Sequence, residues 1–118
     1  MTACLLVGTM VFALAVPTFT LRWTHSVERT VWAEEWKIDG QALHLMTARV
    51  KGSGAGMEPG ADARLEDGWW VWSPGTNVPE LHLAASGATG AGWEFCADGQ
   101  CQSLGVTASA PLLIAPCP

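Results

Sequence analysis

The chain is 118 residues long, enough for one small domain. With 49% of its residues apolar it is not a disordered tail, and at eleven acidic against six basic residues, net −5, it is a poor match for phosphate backbones. No nucleic-acid partner is expected. The charge is also uneven, because all six basic residues lie at or before Arg64 and the five acids after it have no basic counterpart. Seven Trp residues with no Tyr are an unusual aromatic set for so short a chain.

Residues 4–16 are uncharged and mostly apolar. As a helix they would span roughly 20 Å, short of the ~30 Å hydrocarbon core, so they do not read as a transmembrane helix. They read better as an export signal, with an apolar run followed by Ala13-Leu14-Ala15 before Val16 and Pro17. No basic residue precedes Arg22, and the alternative is a buried first strand or helix of the fold. Residues 1–17 are therefore expected to be a signal peptide or short anchor-like segment, and residues 18–106 a β-domain. Residues 107–118 are expected to be a Pro/Ala-rich apolar tail, broken by Pro111, Pro116 and Pro118.

From Thr18 onward the hydrophobic pattern has the strand period of two. Phe19, Leu21 and Trp23 alternate with Thr20, Arg22 and Thr24. Strands are expected next at 32–38 and 42–50, joined at Asp39-Gly40, a strong hairpin dipeptide. A tight turn there would pair Trp36 with Leu43, Glu34 with Leu45 and Glu35 with His44. Asp67-Gly68 joins strands at 64–66 and 69–72, and further strands are expected at 80–84, 93–96 and 101–104. About eight short strands of this kind predict an all-β, antiparallel sandwich or barrel.

The third Asp-Gly pair, Asp98-Gly99, sets Ala97 opposite Gln100 and Cys96 opposite Cys101. That places the two sulfurs within disulfide reach across a hairpin, a bridge that persists in oxidising compartments. The state of Cys4 and Cys117 is left open: they could pair only if the N-terminal segment is retained. Residues 51–60 and 86–92 are too glycine-rich for regular structure and are places where backbone can approach a ligand closely.

Three motifs, Trp23-Thr24-His25-Ser26-Val27-Glu28, then Glu34-Glu35-Trp36, then Gly52-Ser53-Gly54-Ala55-Gly56-Met57, resemble the bacterial domain-of-unknown-function family 1850. The resemblance runs from Phe19 to Leu104. It implies a small exported or membrane-tethered protein encoded beside, or fused to, permeases of the tripartite ATP-independent periplasmic (TRAP) type, in the TAXI branch that carries organic acids. No activity comes with it, and the inference to transport is one of association.

Candidate chemistry centres on His25 and Ser26. As a nucleophile–base pair they would make a small hydrolase, but neighbours on an extended chain point to opposite faces, and no nucleophile-elbow motif is present. A second reading is an anion cradle in which His25, Ser26 and the backbone of Gly52, Ser53, Gly54 and Gly56 meet charge from Arg49 or Lys51. The plain alternative is that His25 and Ser26 fix loop backbone. Glu34, on the same face as Trp32, Trp36, Leu43 and Leu45, needs a partner, with Arg49 or His25 the candidates. A metal site from His25, Glu28 and Glu58 has no supporting spacing, and neither a metal nor another cofactor is expected. The Trp residues admit a sugar-stacking platform or a permease-facing patch, against the simpler account that they fill the core.

The resulting expectation is a non-enzymatic extracytoplasmic accessory or binding domain, periplasmic and possible to tether through its N-terminus. Its partners would be a TRAP/TAXI permease subunit, a small organic acid, or both. The ligand-binding residues would be His25, Ser26, Glu28, Glu34, Arg49, Lys51, Gly52, Ser53, Gly54, Gly56, Met57 and Glu58. A hydrolase using His25 and Ser26, or a structural assembly module without a ligand, are the competing classes.

Overall fold

Type I′ turns at Asp67-Gly68 and Asp98-Gly99 place both central residues at positive φ, 51° and 84° in the first and 51° and 76° in the second. This backbone matches the twist of the strands it joins, which is why Asp-Gly closes two-residue hairpins. The computed structural model describes residues 3–24, 30–51, 60–83, 92–105 and 110–118. Twelve strands are present among them, in chain order β1 (Ala3–Val7), β2 (Met10–Leu14), β3 (Thr18–Thr24), β4 (Val31–Asp39), β5 (Ala42–Lys51) and β6 (Arg64–Glu66). Then follow β7 (Trp69–Trp72), β8 (Thr76–Val78), β9 (Leu81–Leu83), β10 (Trp93–Ala97), β11 (Gln100–Leu104) and β12 (Leu112–Pro116). No helix among the described residues is long and apolar enough to cross a membrane.

The strands form two antiparallel sheets, packed as a sandwich. The larger has the order β11-β10-β3-β4-β5-β7-β6, with β8 pairing β5 beside β7. The smaller has the order β2-β1-β12-β9. The all-β antiparallel architecture expected from the period-two pattern is therefore present, and all eight expected strands are found. Between the sheets, Phe19 stacks on Trp36 at 6.4 Å and meets Phe95 at 5.6 Å. Leu5, Val7, Leu14 and Ile114 close over them from the smaller sheet, all at most 2% exposed.

Those residues come from segments expected to lie outside the β-domain. Residues 3–14 form the hairpin β1–β2, and β12 falls within the expected tail. Leu5 and Val7 sit at alternate positions and face the core, so an apolar run too short to span a bilayer also suits a half-buried strand. The smaller sheet is closed by a disulfide between Cys4 and Cys117, whose Cα atoms are 5.4 Å apart.

The β4–β5 hairpin departs from the expected pairing. Its turn is centred on Gly40-Gln41, with Gly40 at φ 63° and Asp39 paired to Ala42. A positive φ at the first central position alone is the type II′ pattern, so the dipeptide Asp39-Gly40 does not fill the turn. Trp36 consequently pairs with Leu45, and His44 with Lys37. His44 meets Asn77 of β8 at 2.9 Å, and it is not the partner of Glu35. A second shift follows between Glu35 and Trp36: Glu35 pairs with Thr47, leaving Met46 as an extra residue on β5. This bulge inverts the alternation of β5, so that Leu43 and Leu45 face the core before it and Ala48 and Val50 after it.

Candidate functional site

The bulge decides where the charged residues of β5 point. Arg49 pairs with Ala33, and Ala48 pairs with Glu34, so Arg49 and Glu34 stand on opposite faces of the sheet. An ion pair between them is ruled out. Arg49 Nη2 instead lies 3.9 Å from Glu35 Oε1 on the solvent face. Glu34, half-buried on the inner face, accepts a hydrogen bond from Trp36 Nε1 at 3.1 Å. An indole donor two residues along the same strand thus supplies part of what an ion pair was expected to supply.

On the solvent face, cross-strand pairing aligns Glu94, Arg22, Ala33, Arg49, Val71 and Arg64 in one row. In the neighbouring row Thr24, Val31, Lys51, Trp69 and Glu66 follow one another. The guanidinium carbons of Arg49 and Arg22 lie 5.3 and 5.7 Å from the centre of the Trp69 ring, and Lys51 Nζ lies 5.8 Å from it. Arg22 and Arg49 flank Ala33, so an indole within reach of both extends across that row. Ala33 is accordingly only 7% exposed, although it faces outward. The ring gives each cation a favourable electrostatic contact and holds three like charges together.

Among the described residues, the acids beside these cations include Glu35, which approaches Arg49, and Glu94, which stands across from Arg22. Arg49 Nε is shut off from water and has no hydrogen-bond acceptor among the described residues. Its approach to Glu35 is long, and both side chains are about two-fifths exposed. Arg22 also lines a shallow recess of about 220 Å³ with Thr24, Gly92, Glu94 and Ser103. The cluster can receive an anion through a guanidinium fork, an ammonium group and neighbouring hydroxyls.

Of the residues expected to bind ligand, Arg49 and Lys51 come together around Trp69, while Glu34 faces away. His25, Ser26, Glu28, Gly52, Ser53, Gly54, Gly56, Met57 and Glu58 lie outside the described residues. The residues from which those two segments depart, Thr24 and Lys51, are adjacent through Val31 at one end of the sheet. Arg22 was not expected at the site, and neither was Trp69. Their periods within β3 and β7 mark them as outward-facing, but only the strand order brings them beside Arg49.

Cys96 and Cys101 form the expected cross-hairpin disulfide, with Cα atoms 4.1 Å apart. Glu94, Cys96 and Cys101 cluster closely enough to resemble a metal site. The two sulfurs are bonded to each other, however, and are not available as thiolates. All four cysteines are paired, which is consistent with an extracytoplasmic location.

The geometry defines a disulfide-bonded β-sandwich with a cationic cluster on its outer face, organised by one tryptophan. Residues 19–104 match the domain of unknown function DUF1850, and the chain belongs to that family. No curated protein and no solved structure matches it.

Proposed function

We propose that this chain is a non-enzymatic, extracytoplasmic accessory domain of a TRAP/TAXI-type organic-acid transporter, which binds a small organic acid at the Arg22, Arg49, Lys51 and Trp69 cluster. The observation that carries the reading is the convergence of Arg22, Arg49 and Lys51 on one indole, with the Arg49 side chain about two-fifths exposed. A carboxylate is the natural complement of that arrangement, since it accepts two parallel N–H bonds from one guanidinium. The surrounding chain carries net −5, so the affinity depends on local cations and not on a general attraction. The two disulfides support the extracytoplasmic part of the reading. The permease subunit is the proposed protein partner, on the grounds of the family resemblance alone.

Calorimetric titration of the oxidised full chain with succinate and 2-oxoglutarate at low ionic strength tests the proposal. Saturable binding is expected, weakening by about tenfold in Arg49→Gln and further in the double variant with Lys51→Gln. Binding should also fall as salt rises. If no C4 or C5 dicarboxylate binds, or if the variants bind as well as the parent, the reading fails. Co-purification with the permease subunit tests the partner separately.

A further inference from the structure

Strand β11 presents an unexpected sequence to the interior. Its inward-facing positions are Gln100, Gln102 and Leu104, paired with Ala97, Phe95 and Trp93. Phe95 belongs to the core and is 2% exposed, so an amide at Gln102 stands where an apolar residue would be expected. Gln102 Nε2 is shut off from water and has no acceptor among the described residues. A buried donor in this state loses its hydration without replacement, a cost normally avoided.

The reason for the amide lies at the edge of the sandwich. β2 ends one side of the smaller sheet and β11 ends the larger, so neither has a further strand beyond it. Between them opens a recess of about 170 Å³ whose apolar walls include Phe12, Leu14, Phe95 and Ala97, with Gln102 also lining it. Phe12 and Phe95 meet there at 5.5 Å between ring centres. For the Gln102 donor, itself covered, to reach this space the terminal amide must turn about its last torsion, which is a soft rotation.

We propose that this recess is a second binding site, for a small neutral organic molecule with an apolar body and one carbonyl oxygen. The body would rest against the contacting rings of Phe12 and Phe95, and the oxygen would accept from Gln102 Nε2. The volume suits a body of about benzene size, since a 150 Å³ apolar cavity holds benzene. The lining is mixed, with Asp98, Gln100 and Gln102 beside the apolar walls, so an ordered water is the competing occupant that the test must separate. An anion is disfavoured by Asp98, which also lines the recess and whose carboxylate is already committed to the backbone N–H groups of Ala15 and Val16 at 2.9 and 3.3 Å. The site lies on the inner face of the large sheet, whereas the cation cluster lies on its outer face, so the two readings stand or fall independently.

Cyclohexanone is the probe, with benzene as the control that lacks an acceptor, followed by NMR on the oxidised full chain. Cyclohexanone should shift the Gln102 side-chain amide and the Phe12 and Phe95 ring signals saturably. Gln102→Met should weaken cyclohexanone about tenfold and leave benzene within twofold. Ala97→Leu, which fills the recess from its inner wall, should abolish both, and Arg49→Gln should change neither. The proposal is overturned if cyclohexanone does not saturate these signals, if Gln102→Met binds it as well as the parent, or if the Gln102 amide contacts only an exchanging water. Should Gln102→Met fail to fold, unaltered cyclohexanone binding in Ala97→Leu would overturn it equally.

Discussion

Arg49 and Glu34 carry opposite charges on adjoining strands, and alternation along β5 without interruption would put them on one face. Met46 breaks that count. By taking the place of one extra residue it turns Arg49 outward, where Glu35 is a distant and exposed partner at 3.9 Å. An exposed pair of this geometry contributes at most about 1 kcal/mol. Replacing Glu35 with Gln should therefore leave the urea midpoint nearly unchanged while tightening dicarboxylate binding two- to fivefold on the order-of-magnitude scale of such pairs. A fall in affinity would mean that Glu35 positions Arg49 instead of competing for it. The opposite kind of sensitivity is expected at Gly60. A Cβ there would lie 2.7 Å from Trp72 Cδ1, and that indole is itself set edge-on to Trp32 at 5.5 Å. Gly60→Ala should cost about 1–3 kcal/mol by overpacking, read as a lower urea midpoint with an unchanged slope.

At the scale of elements, the turns show what could and could not be read in advance. Asp67-Gly68 and Asp98-Gly99 are the central pairs of their turns, so the strands on either side, including the Cys96–Cys101 bridge, follow from the dipeptide. Asp39-Gly40 looks the same in one dimension, yet Gly40 takes the first central position and Gln41 the second, which moves the pairing by two residues. A two-residue slip preserves faces, so Glu34 still shares a face with Leu43 and Leu45 across the hairpin. The bulge at Met46 has no such protection, and nothing local in the sequence marks it. β1 and β2 were obscured for a different reason: a short uncharged apolar run satisfies both an export signal and a covering strand. The hairpin turn at Asp98 makes this element-level coupling testable. Its side chain holds the backbone between β2 and β3, and its own φ of 51° is one that Asp and Asn tolerate better than Ala. Asp98→Ala should cost roughly 2 kcal/mol or more, and Asp98→Asn clearly less, since it keeps an acceptor and the tolerance for positive φ. Equal losses for the two would show that only the negative charge matters there.

Across the whole molecule, the two disulfides constrain very different lengths of chain. Cys96 and Cys101 are five residues apart within one hairpin, whereas Cys4 and Cys117 are separated by 113 residues and join the first strand to the end of the last. The smaller sheet draws three of its four strands from outside residues 19–104, the part that matches the family. That sheet nevertheless covers the aromatic core of the larger one, so its attachment governs whether the core stays dry. In the chain-entropy account, closing a loop of about 100 residues stabilises by about 4.7 kcal/mol, while a loop of about six residues gives roughly 2 kcal/mol. Cys4→Ser with Cys117→Ser should therefore lower the unfolding free energy by more than twice as much as Cys96→Ser with Cys101→Ser. Hydrogen exchange would separate this from a local effect: in the first variant protection should fall in β1, β2 and β12 together with Phe19 and Leu21 of β3, and in the second it should fall chiefly in β10 and β11. If loss of the long-range bridge left the exchange of β3 unchanged, the smaller sheet would be an appendage, and the large sheet would hold its aromatic core without it.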